Sequence, residues 1–73
     1  MTPEQLIAIT KLLQHHTIVR IGDDKPANGG FMQGAVDAML EDGGKAVILR
    51  NGSVVFFDFE GKWRTTTTLK ELR

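Results

Sequence analysis

Apolar positions recur along this chain with two different periods. Leu6, Ile9, Leu13 and His16 follow one another at spacings of three or four, and Ile7 and Leu12 broaden the stripe. That pattern predicts an amphipathic helix over residues 3–15. Its start is written into Thr2-Pro3-Glu4-Gln5: Thr2 caps, Pro3 suits the first helical position, Glu4 complements the helix dipole and Gln5 closes a capping box. Thr17-Ile18-Val19-Arg20-Ile21 is rich in β-branched residues and stops at Gly22, which predicts a short strand. Residues 22–30 hold Asp-Asp, Lys-Pro and Asn-Gly-Gly and read as a loop. Phe31, Ala35 and Met39 beside Met32, Val36 and Leu40 form two adjacent stripes at helical spacing, so a second helix is expected over residues 30–41, stopped by Gly43-Gly44. Gly34 inside it would cost about 1 kcal/mol relative to alanine.

Beyond Gly44 the runs become β-rich. Residues 45–50 and 53–59 flank Asn51-Gly52, the dipeptide that best tolerates positive φ at both centres of a type I′ turn. A hairpin is expected there. Glu60-Gly61 offers a second tight turn into residues 62–68, whose four threonines favour an extended strand. Leu69 to Arg73 reads as a short tail of one helical turn.

The expected fold is a single α+β domain over residues 1–73: helix, strand, helix, then a three-stranded antiparallel meander, with two helices packing a small single-layer sheet. The first strand is expected to join that sheet parallel to residues 45–50 through a right-handed crossover. Two-residue turns would pair Val47 with Phe56, Ala46 with Phe57 and Phe57 with Arg64. Val47, Leu49, Val54, Phe56 and Trp63 would then share one face, and Ala46, Ile48, Val55, Phe57 and Phe59 the other, with Lys62 and Arg64. Both faces come out apolar, which raises the question of what covers the second.

Composition narrows the function. The chain has 73 residues, ordinary globular hydrophobicity and no cysteine. It can therefore use neither disulfides nor thiolates, and a reducing cytoplasm is the expected setting. No run is long and apolar enough to span a bilayer, and Met1-Thr2-Pro3-Glu4 lacks the basic start of a signal peptide. Net charge is zero, but residues 1–44 carry six acids against three bases and residues 45–73 the reverse. That polarity can steer an acidic partner towards the C-terminal half or draw the two halves together.

Chemistry-bearing residues are few. His15 and His16 point about 100° apart on a helix and cannot share one ion easily, so they are better read as completing the helix C-terminus. The loop over residues 23–30 opens the second expected helix but matches no phosphate-binding fingerprint, and its aspartates repel anions. The lone serine, Ser53, adjoins a hairpin turn with no base beside it. No catalytic, cofactor or metal site is expected, and the chain is read as a non-enzyme. A small protein-interaction module, an adaptor, inhibitor or regulatory subunit, fits best. It would act through an apolar sheet face on a protein partner or on a second copy of itself, with Phe56, Phe57, Trp63, Arg64, Lys62 and Arg50 as the contact residues. The alternative is a nucleic-acid-binding module that uses the basic and aromatic last strand, with Arg50, Lys62, Trp63 and Arg64.

Overall fold

The computed structural model describes residues 1–23 and 34–73. Among the described residues one helix, α1 (Pro3–Leu13), precedes five strands: β1 (Ile18–Asp23), β2 (Val36–Leu40), β3 (Lys45–Ile48), β4 (Val54–Phe57) and β5 (Trp63–Thr67). The strands form one antiparallel sheet in sequential order, β1 to β5. Among the described residues no helix is long and apolar enough to cross a membrane.

The helix begins as its capping box dictates. Thr2 Oγ1 accepts from the Gln5 amide at 3.1 Å, and Gln5 Oε1 accepts from the Thr2 amide at 2.8 Å. Gln5 does more than cap, being 1% exposed with its Nε2 donating to the Gly34 carbonyl at 2.8 Å and the Ile48 carbonyl at 3.1 Å. Every polar site of this buried amide is thus engaged, which removes the desolvation cost that an unmatched group would carry. Thr2 Oγ1 also donates to the Arg50 carbonyl at 2.7 Å. The start of the helix is thereby fastened to the turn just before β2, the end of β3 and the loop beyond it.

The second expected helix is overturned. Its C-terminal half is strand β2, whose residues alternate between the two sides of the sheet, with Val36, Ala38 and Leu40 buried. Val36 and Leu40 satisfy helical spacing and, with Ala38, strand alternation equally well, and pairing with neighbours on both sides selects the strand. Residues 30–33 of the expected helix, and residues 24–30 of the loop expected over residues 22–30, lie outside the described residues. β1 joins β2 antiparallel, so the expected parallel crossover to β3 is overturned as well.

The β2–β3, β3–β4 and β4–β5 hairpins share one closure. Leu40, Leu49 and Asp58 donate their amides to the Gly44, Ser53 and Lys62 carbonyls, and their carbonyls accept from the amides of Gly43, Gly52 and Gly61. Each loop therefore has three residues and ends in a glycine with φ between 83° and 90°. Among the described residues no non-glycine has positive φ, so Asn51 does not form the expected type I′ turn. Gly52 fits its place twice over, because a Cβ there would also sit 3.0 Å from the Glu4 carbonyl oxygen.

The extra loop residue slips the register by one: Ala46 faces Phe56, Val47 faces Val55 and Phe57 faces Trp63. A one-residue slip exchanges the faces of a sheet, which corrects the expected face assignment. Val36, Ala38, Ala46, Ile48 and Val54 pack with Ala8, Ile9 and Leu12 of the helix, and Ile18, Phe56, Leu69 and Leu72 close this core at its margins. The C-terminal turn is secured by Lys11 Nζ, which donates to the Leu72 carbonyl at 3.1 Å. Within that turn the Glu71 carboxylate accepts from the Thr68 amide and hydroxyl. These bonds hold its pKa below the ordinary 4.5.

Two expectations follow. Gln5→Glu replaces the donating amide with a carboxylate facing two carbonyls, and should lower the unfolding free energy by about 3 kcal/mol in urea titration. That is a large share for a domain stabilised by about 0.05–0.15 kcal/mol per residue. Because the folded pKa of Glu71 lies below its unfolded value, the turn's contribution is complete above the unfolded pKa and fades as pH falls through the folded one. An NMR acid titration should therefore show the Thr68 amide resonance moving to its unbonded position below pH 4.5.

Candidate docking face of the sheet

The helix lies on one face of the sheet, so the opposite face defines the site. Residues paired across strands share a face, and the pairing traces a row across all five strands: Arg20, Met39, Lys45, Phe57 and Trp63. A second row runs alongside through Gly22, Asp37, Val47, Val55 and Thr66. Ala35, Val47 and Val55 are buried, with half-buried Leu49 and Phe57 against them, so the middle of the face is apolar and compact. Met39 and Trp63 are exposed, Trp63 at 63%.

Trp63 is held in place despite that exposure. Its Nε1 donates to Thr66 Oγ1 at 3.0 Å, one row further along the same face. The only polar atom of the indole is thereby satisfied within β5, and the remaining ring is apolar surface. Lys45 stands between Met39 and Phe57, its Nζ 3.6 Å from Asp37 Oδ2 and 5.8 Å from the centroid of the Phe57 ring. The second distance is within cation–π range. Arg20, Gly22, Asp37 and Met39 line a shallow depression of about 300 Å³ at the β1 end of the row.

Of the six expected contact residues, Phe57 and Trp63 meet as a cross-strand pair. Phe56 does not join them: it is half-buried on the helix side, its ring 5.8 Å from that of His16. Lys62 follows the β4–β5 loop and Arg64 lies in the bulge of β5, both exposed and beside Trp63. Arg50 sits in the β3–β4 loop at the opposite end of the strands, roughly 15 Å away at about 3.3 Å per residue. The expected basic cluster is therefore divided. Arg20, Met39 and Lys45 join the row instead, and sequence reasoning missed them because they depend on the register of β1 and β2.

His15 and His16 donate their backbone amides to the Leu12 carbonyl, at 3.0 and 2.8 Å, and so close the helix. With Thr17, Leu40, Glu41 and Asp42 they border a dent of about 170 Å³. Among the described residues no three histidine or carboxylate side chains gather as metal ligands. Of the loop over residues 23–30, considered as an anion site, all but Asp23 lies outside the described residues.

Thr66→Val should leave the unfolding free energy within about 1 kcal/mol of the parent, because the bond is exposed. It should nevertheless release the indole. Hydrogen exchange at Trp63 Nε1, followed by NMR, is expected to accelerate several-fold in this variant. No family model matches the chain, and no curated protein or solved structure matches it, so its function is read from this face.

Proposed function

We propose that this chain is a small protein-interaction module, of the adaptor, inhibitor or regulatory kind, that docks a partner on the sheet face opposite the helix. The observation that carries this reading is Trp63: a large aromatic, 63% exposed, pinned by Thr66 and paired with Phe57 on a rigid strand. Aromatic residues, methionine and arginine are the types enriched in interface centres. A ring that is already immobilised loses little side-chain entropy on binding. Arg20, Lys62 and Arg64 border the row, so the fitting partner presents an apolar patch with acidic groups at its rim. Binding would act by covering that patch, and catalysis has no part in the reading.

A second reading has its own support, since the row from Arg20 to Trp63 combines two cations with two aromatics. Such a surface can stack single-stranded bases while its cations track the phosphates. It ranks second because Lys45 is engaged with Asp37 and the chain has no net positive charge.

Affinity capture from the native host should compare the wild type with Trp63→Ala and Met39→Ala. The expected result is a partner bound reproducibly by the wild type and weakened by about 2 kcal/mol, roughly 30-fold, in purified form by Trp63→Ala. The variant should retain its thermal midpoint within a few degrees. Equal binding by wild type and Trp63→Ala would contradict the reading. Tight binding of a single-stranded oligonucleotide that weakens steeply with salt would replace it with the second.

A further inference from the structure

Among the described residues the sheet is open at β1, where one side of the backbone has no strand beside it. After a bulge at Val19, β1 continues in regular register with β2 through Arg20, Ile21 and Gly22. Ile21 pairs with Ala38 and so lies on the helix side of the sheet, yet it is 46% exposed, and Val19 is 62% exposed. At 100° per residue, Leu6 and Leu13 align along one flank of the helix, about 140–160° around from Lys11. The Lys11 flank is occupied by the C-terminal turn, through the bond to Leu72 and the packing of Leu69 and Leu72. The Leu6–Leu13 flank faces β1 instead, and these leucines are 56% and 55% exposed.

This flank carries no charged helix residue: Glu4 and Lys11 both lie on the other side. Thr10, beside it, turns its hydroxyl back to the Leu6 carbonyl at 2.9 Å, so it presents no unsatisfied donor. An uncharged apolar surface next to an unpaired strand edge is complementary to itself, which a charged edge is not.

We propose that the occupant is a second copy of this chain, pairing β1 with β1 antiparallel about a two-fold axis perpendicular to the sheet. The axis passes at Ile21. Centring on Arg20 would set two like charges directly opposite each other, whereas centring on Ile21 sets Arg20 opposite Gly22 of the second copy. The sheets then merge into one of ten strands. Both helices lie on one side, where Leu6, Leu13 and Ile21 meet their counterparts, and both Trp63 faces lie on the other. Apolar side chains joined to a short backbone ladder suit the lower end of stable interfaces, about 1,200 Å² in total, and a dissociation constant in the micromolar range.

Sedimentation velocity of the full chain over roughly 1–200 μM tests this. The expected result is a monomer of 8.1 kDa giving way to a species of twice that mass as concentration rises. Ile21→Lys and Leu13→Glu, each at an exposed position, should weaken the association about tenfold or more, and Trp63→Ala should leave it unchanged. Circular dichroism checks that the variants fold. Hydrogen exchange on the wild type provides a readout that needs no variant: the amides of residues 19–22 should gain protection on concentration. A strict monomer throughout the range overturns the proposal, as does a dimer indifferent to both flank variants or one dissolved by Trp63→Ala. The Trp63 docking reading stands or falls separately, because this interface uses no residue of the Phe57–Trp63 pair.

Discussion

The carboxamide of Gln5 holds the helix N-terminus, the turn just before β2 and the end of β3 in one hydrogen-bonded joint. It accepts from Thr2 and donates to Gly34 and Ile48 while almost fully buried. A buried amide costs stability unless all its sites are matched, so this joint admits few alternative placements of the helix. Ala8, Ile9 and Leu12 follow from that placement, because a helix fastened at its first turn must lay its next turns over β2, β3 and β4. The consequence for function is indirect but large. With the single described helix committed to one side, Trp63 and Phe57 belong to the other.

Which residues share that other side is decided by the loops. Gly34, Gly43, Gly52 and Gly61 recur every nine residues, all with positive φ, and each precedes the first residue of a strand by two positions. A three-residue loop ending in such a glycine closes the β2–β3, β3–β4 and β4–β5 hairpins, and strand plus loop repeats as a unit there. The repeat sets the pairing, and the pairing aligns Arg20, Met39, Lys45, Phe57 and Trp63. A two-residue loop at Asn51-Gly52 would have paired Ala46 with Phe57 and so carried Phe57 to the helix side.

Local chemistry was legible where it is local. The capping box at Thr2 and Gln5 and the β-rich runs of β3, β4 and β5 follow from neighbouring residues alone. The identity of β2 does not: Val36-Asp37-Ala38-Met39-Leu40 accommodates both periods, and only its neighbours on either side distinguish them. The nine-residue spacing of glycines is the signal that would have recovered this strand, since it announces regular short strands where a helix seemed to fit. The burial of Gln5 was not legible either, because its two carbonyl partners lie 29 and 43 residues away. For the site, Trp63 and Phe57 could each be named from the sequence as contact residues, but the expected register set them on opposite faces, and their pairing enters only with the observed one. Their companions Arg20, Met39 and Lys45 could not be named, because they enter only through a register that runs across the whole sheet.

The central claim is that the sheet is closed by the helix on one side and presents its tryptophan on the other. Trp63 is the only tryptophan in the chain, so its fluorescence reports this directly. In the free protein at low concentration, acrylamide quenching should approach that of the urea-unfolded chain, and the emission should be nearly as red-shifted. A blue-shifted emission protected from acrylamide would place the indole in a core and contradict the account.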